Sequence, residues 1–176
     1  CVALPSIESD LRSWSREVLE QPSKYLKGMP PCPYAKQAWK QDKVMVVELE
    51  NIILQADKYC FDFDVFNKDL VILASYNLPD MTEFAEFTKR LNHRFVALHC
   101  MQFHPDYGAE DAELDFLFDN EWESSIDEEY CMLFIQDLEL VINASDKLDP
   151  LGYYEAYPSA EYEALVVDRK RRMTWR

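Results

Sequence analysis

The chain has 176 residues, 48% of them hydrophobic and 14% aromatic, with only three glycines. That is enough apolar material for one sizeable core and too little compositional bias for a disordered or low-complexity protein. Its 33 acids against 18 bases leave a formal net charge of −15, which repels phosphate backbones and anionic membrane surfaces, so direct nucleic-acid binding and membrane association are not expected. A basic protein partner is compatible with that charge.

The cysteines Cys1, Cys32, Cys60, Cys100 and Cys131 are odd in number and widely separated, and none forms a Cys-x-x-Cys pair. A disulfide framework is not expected. No charged-then-apolar leader is read, and no apolar run approaches the roughly 20 residues that span a bilayer. The expectation is a reducing, cytoplasmic compartment, with Cys1 marking either a true or a trimmed start.

In chain order, Ser6 reads as a helix N-cap, and Ile7, Leu11, Trp14 and Val18 follow at helical spacing with Glu8 and Asp10 in the first turn. Pro22 interrupts. Next comes Met29-Pro30-Pro31-Cys32-Pro33-Tyr34-Ala35-Lys36, a proline frame that puts Cys32 at the start of a short helix. The run 43–49 (KVMVVEL) is a short β-branched strand, and Leu49, Ile52, Ile53, Ala56 and Tyr59 then switch to helical spacing. The uninterrupted apolar run 70–74 is a second strand of the kind covered on both faces. Asp80 and Glu83 have the spacing of a capping box, followed by Met81, Phe84, Phe87 and Leu91 on one helical face. The third strand is 95–103, ending in His104-Pro105-Asp106-Tyr107.

Residues 108–129 form an acidic loop carrying Phe116, Leu117, Phe118 and Trp122, of a length that is usually functional. Cys131, Ile135, Leu138 and Ile142 restore helical spacing, with 130–135 alternatively a fourth strand. A turn at Asp149-Pro150-Leu151-Gly152 precedes a last helix that Ser159 is expected to cap. Its face is Tyr162, Leu165 and Val166, and its basic run Arg169-Lys170-Arg171-Arg172 suits the negative end of the helix dipole. Strands alternating with helices predict a single α/β domain over 1–176, with a small, mainly parallel sheet of at least three strands.

Two places carry chemistry. His104 stands at the carboxyl end of a strand, where α/β sheets collect ligands and catalytic groups. Its imidazole suits a base or ligand, with Asp106 orienting it or binding a metal and Tyr107 offering a hydroxyl. The other reading is a rigid turn whose polar groups cap backbone. Cys32 combines a helix start, Lys36 and prolines, which favour a thiolate; a buried structural cysteine is the alternative. It is similar to half of a glutaredoxin motif, but Ala35 occupies the second cysteine position. Adjacent strand residues alternate faces, so His99 joins Met101 and Phe103 while Cys100 points away, and His99 reads as a core histidine. His93 reads as a helix-end cap. Closely spaced zinc ligands and phosphate-cradling glycine loops are absent. A mononuclear metal on His104, Asp106 and a distant third ligand stays open.

The motifs Cys-Pro-Tyr-Ala-Lys at 32–36 and Phe-His-Pro-Asp-Tyr at 103–107 resemble those of an uncharacterised bacterial family known only as a domain of unknown function. Its members carry Leu-Cys-Pro-Phe-Ala-Lys after a first helix and Ser-Phe-His-Pro-Asp-Tyr after a strand. Order, intervening length and closing helix are similar from about Ser13 to the end. The chain departs where that family reads Asn-Tyr-Thr-Asn-Arg-Ser-Pro-Tyr-Pro, having Asn120-Glu121-Trp122-Glu123-Ser124-Ser125 without the arginine. The resemblance implies no activity.

Two functions follow as expectations. One is a small-molecule enzyme or binder whose site unites Cys32, Lys36, His104, Asp106 and Tyr107, with or without a metal on His104 and Asp106. The other is a noncatalytic accessory protein offering its acidic loop to a basic partner.

Overall fold

The computed structural model describes residues 6–105 and 130–175. Asp106, Tyr107, the loop 108–129 and Cys1 lie outside the described residues, and the expectations resting on them with them. The elements are α1 (Ile7–Trp14), α2 (Ala35–Lys40), β1 (Val44–Glu48), α3 (Ile52–Phe61), α4 (Phe63–Phe66), β2 (Leu70–Ser75), α5 (Met81–Arg94), β3 (Leu98–Phe103), β4 (Cys131–Asp137), α6 (Leu138–Leu148), α7 (Ser159–Tyr162) and α8 (Asp168–Arg172). A π-helical turn, Glu163–Val167, joins the last two into one closing helix.

Local chemistry sets most helix starts. Ser6, Asn51, Asp80 and Asp137 each accept a backbone N–H from the third residue on, so the first orphan donors of α1, α3, α5 and α6 are satisfied. Ser159 does not cap the closing helix: Pro158 holds the N-cap position without a side-chain bond, and Ser159 is already the first helical residue. Lys27 and Gly28 are both left-handed, at φ 57° and 81°, and close the turn before the proline frame.

The sheet has four strands in the order β1-β2-β4-β3. β1 pairs parallel with β2, whereas β4 pairs antiparallel with both β2 and β3. The expected mainly parallel sheet is therefore corrected to a mixed one with a single parallel pair. The physical reason is β4: the predicted helical stripe from Cys131 to Ile142 is in fact a strand followed by a helix, with Asp137 as the junction and N-cap. A strand covered on both faces has no polar side to give it a period of two, so its apolar residues fall into helical spacing by accident. β4 slots between β2 and β3, which still run in the same direction, as a helical crossover through α5 requires.

Alternation along the strands divides the core. Val71, Leu73, Leu98, Cys100, Cys131, Leu133 and Ile135 point to one face and meet Ile52, Ala56 and Cys60 of α3 and Phe84, Phe87 and Leu91 of α5. Ile72, Ala74 and Met132 point to the other, where Ile7 and Leu11 of α1 lie with Trp39 of α2 and Phe103. A satellite core of Leu26, Leu148, Tyr153, Tyr154 and Val166 anchors the closing helix. Each fully buried side chain of the leucine or phenylalanine size contributes about 1.5 to 3 kcal/mol, so the sheet is held firmly from two sides. Helix α5 lies over one face at β3 and the closing helix packs at that same edge.

Candidate functional site

The two sequence motifs have different neighbours. Cys32 N–H donates to Leu19 O at 3.0 Å and Cys32 O accepts from Ala35 N–H at 3.1 Å, so its backbone is tied to the end of the first helical segment and to the start of α2. Tyr153 O–H donates to the Pro31 carbonyl, clamping the proline frame from the far end of the chain. Burial pushes the Cys32 thiol up, and Glu20 adds to this; the N–H groups of Tyr34 and Ala35 pull the other way and do not prevail. Of the two readings the sequence leaves open, a thiolate favoured by the helix start and a buried structural cysteine, desolvation as the largest effect favours the second. Lys36 is exposed.

His104 is buried, at 8% exposure. Its Nε2 lies 2.8 Å from the Pro79 carbonyl, an acceptor only, so Nε2 carries the proton and donates. Among the described residues no group of three His, Cys, Asp or Glu side chains is placed to hold a metal ion.

A different set converges at the outer edge of β3. There the outward backbone groups of Cys100 and the Leu98 carbonyl are already engaged. The Asn92 side chain accepts from Cys100 N–H at 2.8 Å and donates to Cys100 O at 3.0 Å, and Arg172 donates to Leu98 O at 2.6 Å. These bonds block strand addition at Leu98 and Cys100. Beside it runs a cleft of about 700 Å³ between α5, β3 and the closing helix, within the usual range for small-molecule sites.

Arg172, His99 and Arg169 stand together in its wall. Arg172 donates to His99 Nδ1 at 3.0 Å and to Asn92 O at 3.2 Å in addition to Leu98 O. Because a guanidinium can only donate, His99 Nδ1 is the acceptor and the ring proton sits on Nε2, which has no partner among the described residues. Burial, then Arg169 and Arg172, hold the His99 pKa well below its ordinary 6.5, so the ring is neutral. Among the described residues Arg169 has a single hydrogen bond, to the Met101 sulfur at 3.5 Å, and neither its Nε nor that of Arg172 has a partner. Burial lowers its pKa, though not into a range where it would lose its proton. Among the described residues no carboxylate pairs with Arg169 or Arg172, whereas Lys170 pairs with Asp146 and Arg171 with Asp168 and Glu163.

Sequence reasoning placed Arg169 and Arg172 among dipole-complementing surface charges. The signal that reveals them is phase: Tyr162, Leu165, Arg169 and Arg172 follow one another at spacings of three, four and three, so the arginines continue the apolar stripe inward. His99, expected to be a satisfied core histidine, is satisfied on one nitrogen only.

No family model, curated protein or solved structure matches this chain.

Proposed function

We propose that this protein binds a small anionic molecule in the cleft between α5, β3 and the closing helix, with Arg169 holding the anion. The observation that carries the reading is Arg169 itself, a largely buried guanidinium whose only bonded partner among the described residues is a thioether. A buried charge without a counterion is costly, and a chain keeps one where a ligand completes it. The choice of a small molecule agrees with the sequence expectation and moves its site; Cys32, Lys36, His104, Asp106 and Tyr107 form no part of this proposal. The raised Cys32 thiol supports a structural cysteine over a nucleophile. The four described cysteines are free thiols. No helix of the described residues is long and apolar enough to cross a membrane.

The test is calorimetric titration of the full chain with inorganic phosphate, acetate and benzoate. At least one should bind saturably to the wild type and not to Arg169→Met. Absence of saturable binding by all three, or binding that survives in Arg169→Met unchanged, would sink the reading.

A further inference from the structure

The cleft's donors, helix polarity and lining narrow the ligand beyond an anion, and the narrowing rests on the anion-binding reading above. Arg172 is committed to three protein acceptors, His99 Nδ1, Asn92 O and Leu98 O. Among the described residues Arg169 gives one bond, to the Met101 sulfur, a weak acceptor; its Nε is unpartnered but buried, so its terminal nitrogens are what it offers to the cleft. One available guanidinium fork matches one planar carboxylate. His99 stands in the same wall and adds no charge; its Nε2–H has no acceptor among the described residues and is itself buried.

A phosphate dianion is poorly served here. Helix N-termini are the structures that receive phosphate, and the cleft instead meets the last turns of α5, at Asn92 and His93, and of α8, at Arg172. Both present the carbonyl ends of their dipoles, which disfavour added negative charge. The Asp168 carboxylate lines the cleft as well, bonded to Arg171 at 2.6 Å. The remaining lining holds Thr88, Lys89 and Gln102 beside an apolar stretch of Ala85, Met101, Ala164, Leu165 and the Trp175 ring, which packs tilted against His93 with centroids 5.1 Å apart. That stretch gives nothing to a bare inorganic ion and favours an apolar body attached to the anion.

We infer that the ligand is a small amphipathic carboxylic acid, its single carboxylate on the Arg169 guanidinium and its aliphatic or aromatic body along Met101, Leu165 and Trp175.

Calorimetry on the full chain with acetate, butyrate, hexanoate, hexanamide and inorganic phosphate tests this. Each added methylene should tighten carboxylate binding roughly fourfold while the cleft fills. Hexanamide, isosteric but uncharged, should bind about tenfold or more weakly than hexanoate. Arg169→Met should erase that preference. Ala164→Phe, at an exposed position that can accept bulk, should erase the gain with chain length by filling the cleft while leaving every charge in place. It keeps the test sound even where the arginine variant folds poorly. Phosphate binding as tightly as hexanoate, or no gain with chain length, would overturn the carboxylic-acid assignment and leave the anion reading standing. No binding by any carboxylate or by phosphate would overturn both. Chain-length dependence undiminished in both variants would put the apolar contacts outside this cleft and overturn the assignment too.

Discussion

Cys32 and Arg169 are both ionisable, both partly withdrawn from water and both near the satellite core of tyrosines, yet burial does opposite things to them. At Cys32 the thiol answers desolvation by keeping its proton, so nothing charged is buried and the neighbourhood is complete: backbone bonds to Leu19 and Ala35, and the Tyr153 clamp on Pro31. At Arg169 the guanidinium has no neutral form within reach, so desolvation leaves a charge facing a thioether. The same physical effect therefore leaves a protonated thiol in one place and, in the other, a charge without a carboxylate partner among the described residues. Arg172 sharpens the contrast. Three residues away on the same helix it is a structural cation, because three oxygen or nitrogen acceptors surround it.

The largest test of that contrast is to remove the two arginines separately. Arg172→Met orphans the Leu98 and Asn92 carbonyls at the edge of β3 and should cost about 2 to 3 kcal/mol in denaturant unfolding. Arg169→Met removes an unpaired charge and should leave the ligand-free protein as stable or more stable by up to about 1 kcal/mol. Equal losses in the two variants would make Arg169 structural and end the comparison.

Tyr153→Phe tests the Cys32 side. It removes the donor to Pro31 O while keeping the ring against Tyr154, so stability should fall by about 1 to 1.5 kcal/mol. Anion binding at Arg169 should not change. A loss of binding in this variant would join the two regions that the comparison separates.

A smaller effect is expected from pH. Because the folded His99 pKa is depressed, the unfolded chain takes up a proton below the ordinary value of 6.5 while the folded chain does not. The folded-state advantage is full above that value and declines as pH falls toward the depressed pKa. The stability difference between wild type and His99→Gln should therefore shrink from pH about 7.5 to about 5. A flat difference across that window would mean that His99 is not held neutral.

The smallest readout is thiol labelling. Cys32 is half-buried whereas Cys60, Cys100 and Cys131 are buried, so Cys32 should label first among these four. It should do so slowly at neutral pH and faster only in more alkaline solution, because the thiol holds its proton. Rapid labelling of Cys32 at neutral pH would restore the nucleophile reading and undo the contrast with Arg169.

The sequence by itself determined what depends on neighbours along the chain. Ser6 and Asp80 cap helices as their spacing predicts. The apolar runs at 43–49 and 70–74 form β1 and β2 to within a residue at each end. The third run begins three residues later than expected, since Phe95 still bonds back to Leu91 as the end of α5. These signals are local: a cap bonds three residues on, and β-branched runs prefer the pleat whatever they later pack against. Tertiary structure alone decided that β4 enters between β2 and β3, because the register of Leu133 against both Leu73 and Gln102 is a choice among distant partners. It also decided the candidate site. Four consecutive basic residues read alike in sequence, and only the packing of the closing helix against the edge of β3 pairs Lys170 and, at the cleft's margin, Arg171 with acids while Arg169 and Arg172 stand in the cleft without them among the described residues. A charge takes its meaning from the partner it meets, and these partners lie some seventy residues away, on an edge strand whose position depends on β4.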